Sequence, residues 1–463
     1  MFIGRENELR EIKESLEKHD FQSVFVYGRR RIGKTELISH ALENSNLRVL
    51  SFEFRKTTID RNLSLFVPYV RQFFDDKYVS FTTFDNLFDY LLEKSLKEEY
   101  VLVLDEFSFL LYEDFTVESS LATAIDKYKA KSKIHLFISG SYVGLMEKMI
   151  GSESHSYGRF NHILPLRPFD YYTSSLFYPQ YTAEEKIMLY SVFGGVPYFN
   201  SLIDTNKTAL QNVFDLMIKT DSICEHEINE TVMMETTRVP LLNELMLLII
   251  EGKRKYTDIK STFESQGKGR PDYLINKLID MDFINKRYPI NDENNKKRII
   301  YSIKDNLMDF YYRYIFVSKN RELRRDPKFY YENFIKEDFL HKYIPHKFEE
   351  ISKEFLLRMN VINKINPPFY KIGEYQYDNQ KEKINREFDV VTLDKNGYIS
   401  YECKYTDSPI IDTDINEELY QTANLPDINF YKLGFISKNG FDNSVDKTKY
   451  HTFVLDDFFR DNW

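Results

Sequence analysis

VFVYGRRRIGKT, residues 24–35, is the stretch of the sequence that decides the fold. Four apolar residues precede a full match to the pattern G-x-x-x-x-G-K-[ST], and a helical pattern follows at residues 35–42. In this strand–loop–helix context the glycines let backbone N–H groups curl around phosphate oxygens, and the start of the helix attracts anions. The stretch therefore predicts a phosphate-binding loop at the end of a buried strand.

Individual residues of this loop suit contacts with a nucleotide. Lys34 would reach the β and γ phosphates, and the Thr35 hydroxyl would ligate Mg²⁺, so ATP and Mg²⁺ are the expected cofactors. The other predicted nucleotide contacts are Gly28, Arg29, Arg30, Arg31, Ile32, Gly33 and Glu36. The alternative, a glycine-rich turn without a ligand, is disfavoured by the strand before it and the helix after it.

Two acidic residues end a later apolar run, VLVLDEF at residues 101–107. The carboxyl ends of parallel strands meet at one edge of a sheet, which would place these acids beside the phosphate loop. Asp105 is predicted to hold Mg²⁺ through water, and Glu106 to polarise the attacking water. A strand end capped by solvated acids is the alternative.

Further polar residues follow the apolar strand at residues 134–139. Ser139 and Ser141 could contact the γ phosphate, and Arg159, in the sequence YGRF, could act as an arginine finger in cis or across a subunit interface. A plain strand–turn and one of many surface arginines are the competing interpretations. The sequence leaves both pairs of alternatives open.

Short apolar runs alternate with helical patterns over the first 170 residues. The runs lie at residues 24–27, 49–52, 101–104, 134–139 and 162–166, and the helical patterns at 6–18, 35–42, 83–96 and 119–128. Continuous β-branched and aliphatic runs are typical of a parallel sheet buried on both faces. This part of the chain is therefore predicted to form an α/β unit.

Length, net charge and cysteine count limit the class of protein to which the chain can belong. At roughly 150 residues per domain, 463 residues predict about three domains. Lys and Arg number 63 and Asp and Glu 72, and this net charge of −9 argues against a general nucleic-acid coat. Cys224 and Cys403 lie far apart, which excludes a disulfide framework. The charged start MFIGRENELR, and the absence of an apolar run of ~18 residues, predict a cytoplasmic protein without a membrane span.

Six motifs in order give the chain a resemblance to a known family. They are FIGRENEL at residues 2–9, GRRRIGKT, VLVLDEF, ISGSYVGLMEKMI, YGRF and GGVPYF at residues 194–199. In these motifs the chain resembles the archaeal-type ATPases, a group in the STAND branch of the AAA+-like NTPases. The resemblance covers the chain up to about residue 235 and continues more weakly beyond.

The resemblance implies roles that spacing alone does not show. Ile3, Gly4 and Arg5 would lie near the adenine. The turn that ends in Pro197 would lie in a helical lid and sense the nucleotide. Such ATPases are typically slow ATP-dependent switches that often oligomerise, so ATP or ADP and a second copy of the chain are expected partners.

A winged helix-turn-helix is predicted in the middle of the chain. Helical patterns at residues 241–250, 256–263 and 271–280 precede two short strands at 283–289 and 298–303. Residues 251–300 hold twelve Lys or Arg and eight Asp or Glu, a net charge of +4, so the rest of the chain carries −13. The residues that could contact the DNA backbone are Lys268, Arg270, Lys277, Lys296, Lys297 and Arg298. A spacer or protein-docking module is the open alternative.

The C-terminal part carries a loose nuclease-like signature. Asp389 opens an apolar strand, and a second strand at residues 398–405 carries Glu402, Cys403 and Lys404. Residues two apart in a strand share a face, so Glu402 and Lys404 project together and Cys403 points into packing. This is the D…ExK arrangement of PD-(D/E)xK nucleases, in which Asp389 and Glu402 would hold Mg²⁺ and Lys404 would orient the attacking water.

A helix predicted at residues 347–357 adds a third acid to this signature. At about 100° per residue, Glu349 lies at the edge of the apolar face and Glu350 roughly opposite, so Glu349 is predicted to join the site. The resemblance supports the assignment, because these ATPases commonly end in a domain of unknown function with this fold. Phe388 stands where the family name has a proline. A catalytically silent nuclease fold, or an exposed charged hairpin, is the alternative.

Together these patterns predict an α/β protein in four parts. They are a parallel-sheet P-loop ATPase core at residues 1–170, a helical lid at 171–235, a winged helix-turn-helix at 236–305 and a C-terminal α/β PD-(D/E)xK nuclease-like domain at 306–463. The leading hypothesis is an ATP-hydrolysing switch coupled to DNA binding and Mg²⁺-dependent cleavage. A non-cleaving DNA- or protein-binding regulator that uses the same switch is the alternative.

Overall fold

The structure, a computed structural model, describes residues 2–236, 238–317, 322–379, 384–423, 425 and 430–460. The chain divides into two compact units, the residues up to Pro168 and those from Phe169 onward. In this described part of the chain, no helix is both long and apolar enough to cross a lipid bilayer.

Parallel strands form the sheet of the first unit. They are β1 (Gln22–Tyr27), β2 (Val49–Glu53), β3 (Tyr100–Asp105), β4 (Ile134–Gly140) and β5 (His162–Pro165). Their order across the sheet is β2-β3-β4-β1-β5, and every paired neighbour is parallel. Each residue of β1, β3 and β4 is buried, because these central strands are covered on both faces, as their mainly apolar runs predict.

Helices cover this sheet, and they confirm the predicted α/β class. They are α1 (Glu6–Leu16), α2 (Lys34–Leu42), α3 (Ile59–Phe74), α4 (Phe84–Lys94), α5 (Ser108–Glu113), α6 (Val117–Tyr128) and α7 (Val143–Ile150). Helix α3, which contains Pro68 in its interior, is not among the predicted helices. Thr58 caps this helix by accepting a hydrogen bond from the Arg61 N–H, and Phe66 and Val70 are buried on its inner face.

The carboxyl ends of three neighbouring strands meet at one edge of the sheet. Because β1, β3 and β4 are parallel and paired, the chain leaves β1 at Gly28, β3 at Asp105 and β4 toward Ser141 along this edge. The phosphate loop and the two acids are thereby neighbours, although Thr35 and Asp105 are 70 residues apart.

The second unit begins with short helices and ends in a mixed sheet. Its helices are α8 (Tyr171–Ser175), α9 (Ala183–Phe193), α10 (Pro197–Ser201), α11 (Ala209–Val213), α12 (Ile223–Glu235), α13 (Val239–Ile250), α14 (Tyr256–Ser265), α15 (Asp272–Asp280), α16 (Asn306–Phe310), α17 (Pro327–Tyr330), α18 (Lys336–Asp338), α19 (Ile344–Val361) and α20 (Asp412–Ala423). Wider π-type turns lie at Phe214–Ile218, Tyr311–Phe316, Tyr331–Ile335 and Phe339–Tyr343, and 3₁₀ turns at Lys296–Arg298, Leu323–Arg325, Lys447–Lys449 and Leu455–Phe459. Its strands are β6 (Ile284–Arg287), β7 (Ile300–Ile303), β8 (Lys371–Asn379), β9 (Ile384–Asp394), β10 (Gly397–Lys404), β11 (Phe430–Ser437) and β12 (His451–Val454).

Helices α13, α14 and α15 and the antiparallel pair β6–β7 stand in the order predicted for a winged helix. Lys255, between α13 and α14, also pairs with Ile300 of β7. The second predicted strand is shorter than expected, because residues Lys296–Arg298 form a 3₁₀ turn and β7 begins only at Ile300. Pro271 caps α15 and is not its first helical residue.

The wing, residues 284–303, packs against β8 within the second unit. The Ile290 N–H donates to the Glu374 carbonyl at 2.7 Å. Arg287, at the end of β6, forms ion pairs with Glu350 of α19 at 2.8 Å and with Glu374 of β8. The wing is therefore joined to the C-terminal sheet by both main-chain and charged contacts.

The C-terminal sheet has the order β12-β11-β10-β9-β8. Strands β8, β9 and β10 pair antiparallel, and β10, β11 and β12 pair parallel. Helix α19 packs on β8, β9 and β10, and α20 packs on β11. One prediction here is wrong: Asp389 lies in the middle of β9, which begins at Ile384, instead of opening the strand.

Glu354 of α19 is a buried carboxylate that links α19 to the first helices of this unit. It accepts hydrogen bonds from the Tyr171 N–H and from the Tyr190 hydroxyl, each at 3.0 Å. Burial raises the pKa of Glu354 to about 7, and Asp170 adds a smaller repulsion. The folded protein therefore holds the proton of this carboxyl more tightly than the unfolded chain does.

Replacing Glu354 with Gln should remove part of the pH dependence of stability. Because the folded-state pKa is raised, the wild-type contribution is present below pH 4.5 and is lost as the pH rises to about 7. At pH 8 the variant, which cannot ionise, should unfold at a higher urea concentration than the wild type. Its free energy of unfolding should be higher by up to about 3 kcal/mol. Urea unfolding at pH 5 and pH 8 measures this. Glu337→Gln, at a side chain that is 91% exposed, is the control, and equal pH dependence in Glu354→Gln and wild type would contradict the prediction.

Candidate functional site

The phosphate loop follows β1 and curls over the buried side chain of Lys34. The Lys34 Nζ donates to the carbonyls of Gly28 at 3.1 Å and Arg29 at 3.4 Å. Gly28 has no space for a side chain, because a Cβ there would lie 2.5 Å from the Leu166 carbonyl oxygen. Gly33, with φ of 91°, turns the chain into α2. The two glycines therefore set the path of the loop.

The middle of the loop combines one apolar anchor with three cations. Ile32 is fully buried, whereas Arg29, Arg30 and Arg31 are half-buried. Arg31 adopts φ of 69°. Glu36, in the first turn of α2, is exposed. The nucleotide contacts of the three arginines and of Glu36 stay predictions.

Thr35 and Asp105 are in direct contact. The Thr35 Oγ1 donates to the Asp105 Oδ2 at 2.8 Å, and the Ser139 hydroxyl bonds the other oxygen of Asp105. Hydroxyl and carboxylate oxygens are ligands that Mg²⁺ prefers. The donor set at this edge of the sheet therefore fits the predicted cation.

Glu106 lies between Lys34 and Ser141. Its Oε1 is 3.6 Å from the Lys34 Nζ. Its Oε2 accepts hydrogen bonds from the Ser141 hydroxyl at 2.7 Å and from the Ser141 N–H at 3.1 Å. The structure thus brings together the residues predicted to activate water, to bind phosphate and to sense it.

The N-terminal residues of the implied adenine site lie against the phosphate loop. Arg5 donates to the carbonyls of Arg167 at 2.7 Å and Ile32 at 3.5 Å, and burial lowers the pKa of Arg5. Gly4 and Arg5 both have positive φ, of 69° and 67°. Ile3 is half-buried. Their role at the adenine stays a prediction.

Arg159 and Pro197 are two further residues predicted for the nucleotide site. Arg159 forms a two-point ion pair with Asp126 of α6, with distances of 3.0 Å from Nε to Oδ1 and 2.5 Å from Nη2 to Oδ2. An arginine-finger role would require this pair to break. Pro197 is the first residue of α10, in the second unit. Its nucleotide-sensing role stays a prediction.

Glu53 is an acid at the same sheet edge that the sequence analysis misses. It ends β2 and pairs in register with Asp105. Burial raises the pKa of Glu53, and repulsion from Asp105 and Glu106 adds to the effect. The pattern that identified Asp105, an apolar run that stops at an acid, also applies to Glu53.

A second acidic site lies in the C-terminal sheet, in a cavity between α19, β9, β10 and α20. The acidic residues that line it are Glu349, Glu387, Asp389, Glu402 and Glu418. The structure thus brings Glu349, Asp389 and Glu402 together, as predicted for this group. Glu387 and Glu418 are additions, and Glu418 accepts a hydrogen bond from the Ser400 hydroxyl at 3.1 Å.

The carboxyl groups in this cavity hold protons more tightly than usual. Burial raises the pKa of Glu402 to about 7, and Glu418 adds the largest repulsion. Burial also raises the pKa of Asp389, which keeps an exposed edge, to about 6, with repulsion from Glu349. Crowded carboxylates are relieved by a bound cation or by a proton, so the cavity favours one or the other.

Lys404 is not among the residues that line this cavity. Its Nζ forms an ion pair with the Asp414 Oδ1 of α20 at 2.5 Å, so its predicted role toward a water stays a prediction. Glu350 instead forms ion pairs with Arg287 at 2.8 Å and with Lys353 at 3.1 Å. Within the described ranges, no three His, Cys, Asp or Glu side chains form a ready-made metal-binding group.

Of the basic residues predicted to contact DNA, some form ion pairs and others are exposed. Lys268 forms an ion pair with Glu244, and Arg298 forms one with Asp292 at 3.4 Å. The side chains of Arg270, Lys296 and Lys297 are exposed, and that of Lys277 is half-buried. The exposed residues are better placed for a phosphate backbone than the paired ones.

Two family models match the chain. Residues 2–199 match the model described as an ATPase domain predominantly from Archaea. Residues 311–417 match the model of archaeal and bacterial proteins of unknown function. The second match covers α19 and the strands β9 and β10, which carry Glu349, Asp389 and Glu402.

Known proteins similar to this chain include one full-length relative. An uncharacterized protein of Methanocaldococcus jannaschii is 29% identical over 440 residues, which cover 93% of this chain and 94% of that protein. Among solved structures, a Walker-type ATPase of Pyrococcus abyssi is 17% identical, covers 67% of this chain and 96% of its own, and has a TM-score of 0.47. The ORC2 protein of Aeropyrum pernix is 13% identical, covers 67% and 92%, and has a TM-score of 0.45.

Asp389→Asn should stabilise the second unit at pH 8 in the absence of divalent cations. At that pH Asp389 is ionised, and the variant avoids the cost of burying this charge and its repulsion with Glu349. Added MgCl₂ should raise the Tm of the wild type but not of the variant, because a ligand that binds the folded state stabilises it. Thermal melts with and without MgCl₂ measure both effects. Glu337→Gln, at a side chain that is 91% exposed, is the control, and an equal Mg²⁺ response in Asp389→Asn would argue against a cation site here.

Proposed function

Because residues 2–199 form an archaeal-type ATPase domain and residues 311–417 belong to a family of unknown function, we propose that this protein is an ATP-dependent molecular switch. Its first unit binds and hydrolyses ATP with Mg²⁺, and the nucleotide state controls the winged-helix and nuclease-like parts of the second. The observation that carries the proposal is the contact of Thr35 with Asp105 beside Lys34 and Glu106.

Each residue of this edge has a defined task in ATP hydrolysis. The Lys34 ammonium, which now bonds main-chain carbonyls, offsets the charge of the β and γ phosphates. Thr35 and Asp105 would hold Mg²⁺, which supplies further charge neutralisation when bound. Glu106 accepts the proton of the attacking water. Arg159 from a second copy of the chain would add a positive charge after leaving Asp126.

The contact between Lys34 and Glu106 supports a switch. Lys34 lies 3.6 Å from Glu106, and a bound γ phosphate competes for the same ammonium. Nucleotide binding therefore changes the surroundings of Glu106 and of Ser141, which bonds it. Because Ser141 follows β4 directly, the change reaches the central strand of the sheet.

Lys34→Ala should lower both ATP affinity and turnover, and Glu106→Gln should lower turnover alone. The lysine contacts phosphate in the ground state, whereas the carboxylate acts only as the water attacks, so we expect losses in turnover of about 100-fold or more. Phosphate release and binding of a fluorescent ATP analogue measure the two quantities. Lys18→Ala, at an exposed lysine of the same unit, is the control. Unchanged ATP binding in Lys34→Ala would refute the nucleotide site.

The carboxylate cavity favours a second activity, Mg²⁺-dependent DNA cleavage. Glu349, Asp389 and Glu402 come from three elements to one cavity, and the pKa of Glu402 is raised to about 7. When bound, Mg²⁺ supplies charge neutralisation at the scissile phosphate. In this proposal Lys404 leaves Asp414 to orient the water, and Arg270, Lys296 and Lys297 of the winged helix contact the DNA backbone.

The ion pair between Lys404 and Asp414 favours the alternative, a non-cleaving regulator. In that case the winged helix binds DNA or a protein partner, and the C-terminal domain recognises a partner without cutting it. The ATPase switch is the same in both proposals.

Plasmid DNA with Mg²⁺, with and without ATP, separates the two proposals. Cleavage by the wild type should fall about 100-fold or more in the double variant Glu402→Ala, Lys404→Ala, because both groups act on the reacting phosphate. A gel shift at several salt concentrations on the same samples measures binding. Cleavage that persists in the double variant indicates a contaminating nuclease. A salt-dependent shift without cleavage supports the regulator.

A further inference from the structure

Ser108, which no sequence motif singles out, contacts the carboxylate of Glu106. It is fully buried as the first residue of α5. Its Oγ donates to the Glu106 Oε2 at 3.4 Å and accepts the N–H groups of Ser141 at 3.2 Å and Tyr142 at 3.4 Å. One donor and two acceptors use the full capacity of a serine hydroxyl. This hydroxyl therefore joins the turn after β3 to the chain that leaves β4.

Ser141 holds the same oxygen of Glu106. Its hydroxyl donates to the Oε2 at 2.7 Å and its N–H at 3.1 Å. Three donors, two from Ser141 and one from Ser108, therefore converge on the Oε2. The Oε1 faces the Lys34 Nζ, 3.6 Å away. One oxygen of the carboxylate is anchored, and the other is presented to the phosphate loop.

The backbone at Glu106 places its side chain toward this anchor. Glu106 has φ of 51°, which is uncommon for a residue with a side chain. The turn is fixed by its neighbours, because the Glu106 N–H donates to the Asp105 Oδ1 at 3.0 Å and the Phe107 N–H to the Ser139 carbonyl at 2.7 Å. The side chain of Glu106 thus leaves β3 in a defined direction, and its carboxylate contacts Ser108 and Ser141.

We propose that Ser108 is a positioning residue for ATP hydrolysis, which together with Ser141 fixes Glu106 so that its Oε1 meets the attacking water. The inference rests on the proposed ATPase function. In the reaction, the water oxygen forms a bond to the γ phosphorus, the bond from that phosphorus to the ADP oxygen breaks, and a proton of the water passes to the Oε1. The hydroxyl of Ser141 donates to the Glu106 Oε2.

The effect of Ser108 should lie in turnover and not in affinity. The side-chain hydrogen bonds described for Ser108 go to residues 106, 141 and 142, and none of them goes to the phosphate loop. A fixed carboxylate needs no reorganisation when the water attacks, whereas a mobile one does. Loss of the hydroxyl therefore acts through Glu106.

Steady-state ATP hydrolysis by the full chain tests the inference. Ser108→Ala should lower kcat about tenfold, with KM and affinity for a non-hydrolysable ATP analogue within about twofold of wild type. Ser108→Thr, which keeps the hydroxyl, should retain most of kcat. In single-turnover measurements on the Glu106→Gln background, Ser108→Ala should cause no further loss, because the group it positions is gone.

Ser95→Ala is a matched control in the same unit. Ser95 is fully buried, and its hydroxyl bonds the Leu92 carbonyl and the Ser132 hydroxyl, each at 2.6 Å, so its loss should leave kcat unchanged. If Ser108→Ala does not fold, Ser141→Ala removes the 2.7 Å contact to the same oxygen, and its loss of kcat should likewise vanish in the Glu106→Gln background.

Three results would overturn the inference: wild-type kcat in Ser108→Ala, a loss that lies in KM, or an equal loss on the Glu106→Gln background. A wild type without Lys34-dependent turnover refutes the ATPase proposal itself and this inference with it. A wild type that hydrolyses ATP, together with a silent Ser108→Ala, refutes the inference alone.

Discussion

The parallel pairing of β1, β3 and β4 is the constraint on which the candidate nucleotide site depends. The paired strands are buried on both faces, so a register shift would move polar strand ends into the core or pull apolar residues out of it. The pairing fixes where each strand ends. Main-chain hydrogen bonds bring Gly28, Asp105 and Ser141 to one edge. The side chains of Lys34, Thr35, Asp105, Glu106 and Ser141 then need only short contacts to meet.

In the second unit a single helix performs the corresponding task. Helix α19 carries three acids that meet three different environments, because successive residues of a helix point about 100° apart. Glu349 lines the acidic cavity, Glu350 pairs with Arg287 of the wing, and Glu354 lies buried against Tyr171 and Tyr190. The helix is held by its apolar side, where Phe355 stacks on Phe458 with ring centroids 4.2 Å apart. A movement of α19 would therefore change the contacts of Glu349 in the cavity, of Glu350 with the wing and of Glu354 with the two tyrosines.

The sequence predicts the parts of the fold that depend on local pattern. The central strands are mostly apolar, and the acids at the end of β3, Asp105 and Glu106, follow from that pattern. The helical pattern likewise predicts which side of α19 carries Glu349. Helix α3 is not predicted, because Pro68 interrupts its helical pattern. Strands β8, β11 and β12 are likewise not predicted individually.

Contacts between distant residues could not be predicted. Glu418 reaches the cavity because α20 lies over the C-terminal sheet, and the ion pair of Lys404 with Asp414 depends on the same packing. No motif identifies Ser108 either, because two of its three partners, Ser141 and Tyr142, lie 33 and 34 residues away along the chain. Such residues become visible only when the strand order is known.

The packing of the wing on β8 also has a consequence for solubility. Strand β8 is the edge of the C-terminal sheet, and an open edge is a template on which other chains can add strands and aggregate. At this edge the Ile290 N–H donates a hydrogen bond to the Glu374 carbonyl, and the Asn291 side-chain amide donates one to the Gln376 carbonyl at 2.9 Å. The wing thereby occupies part of the β8 edge, at Glu374 and Gln376, where another strand would otherwise pair. Removing residues 284–303 would therefore expose these main-chain groups of β8 to pairing with other chains.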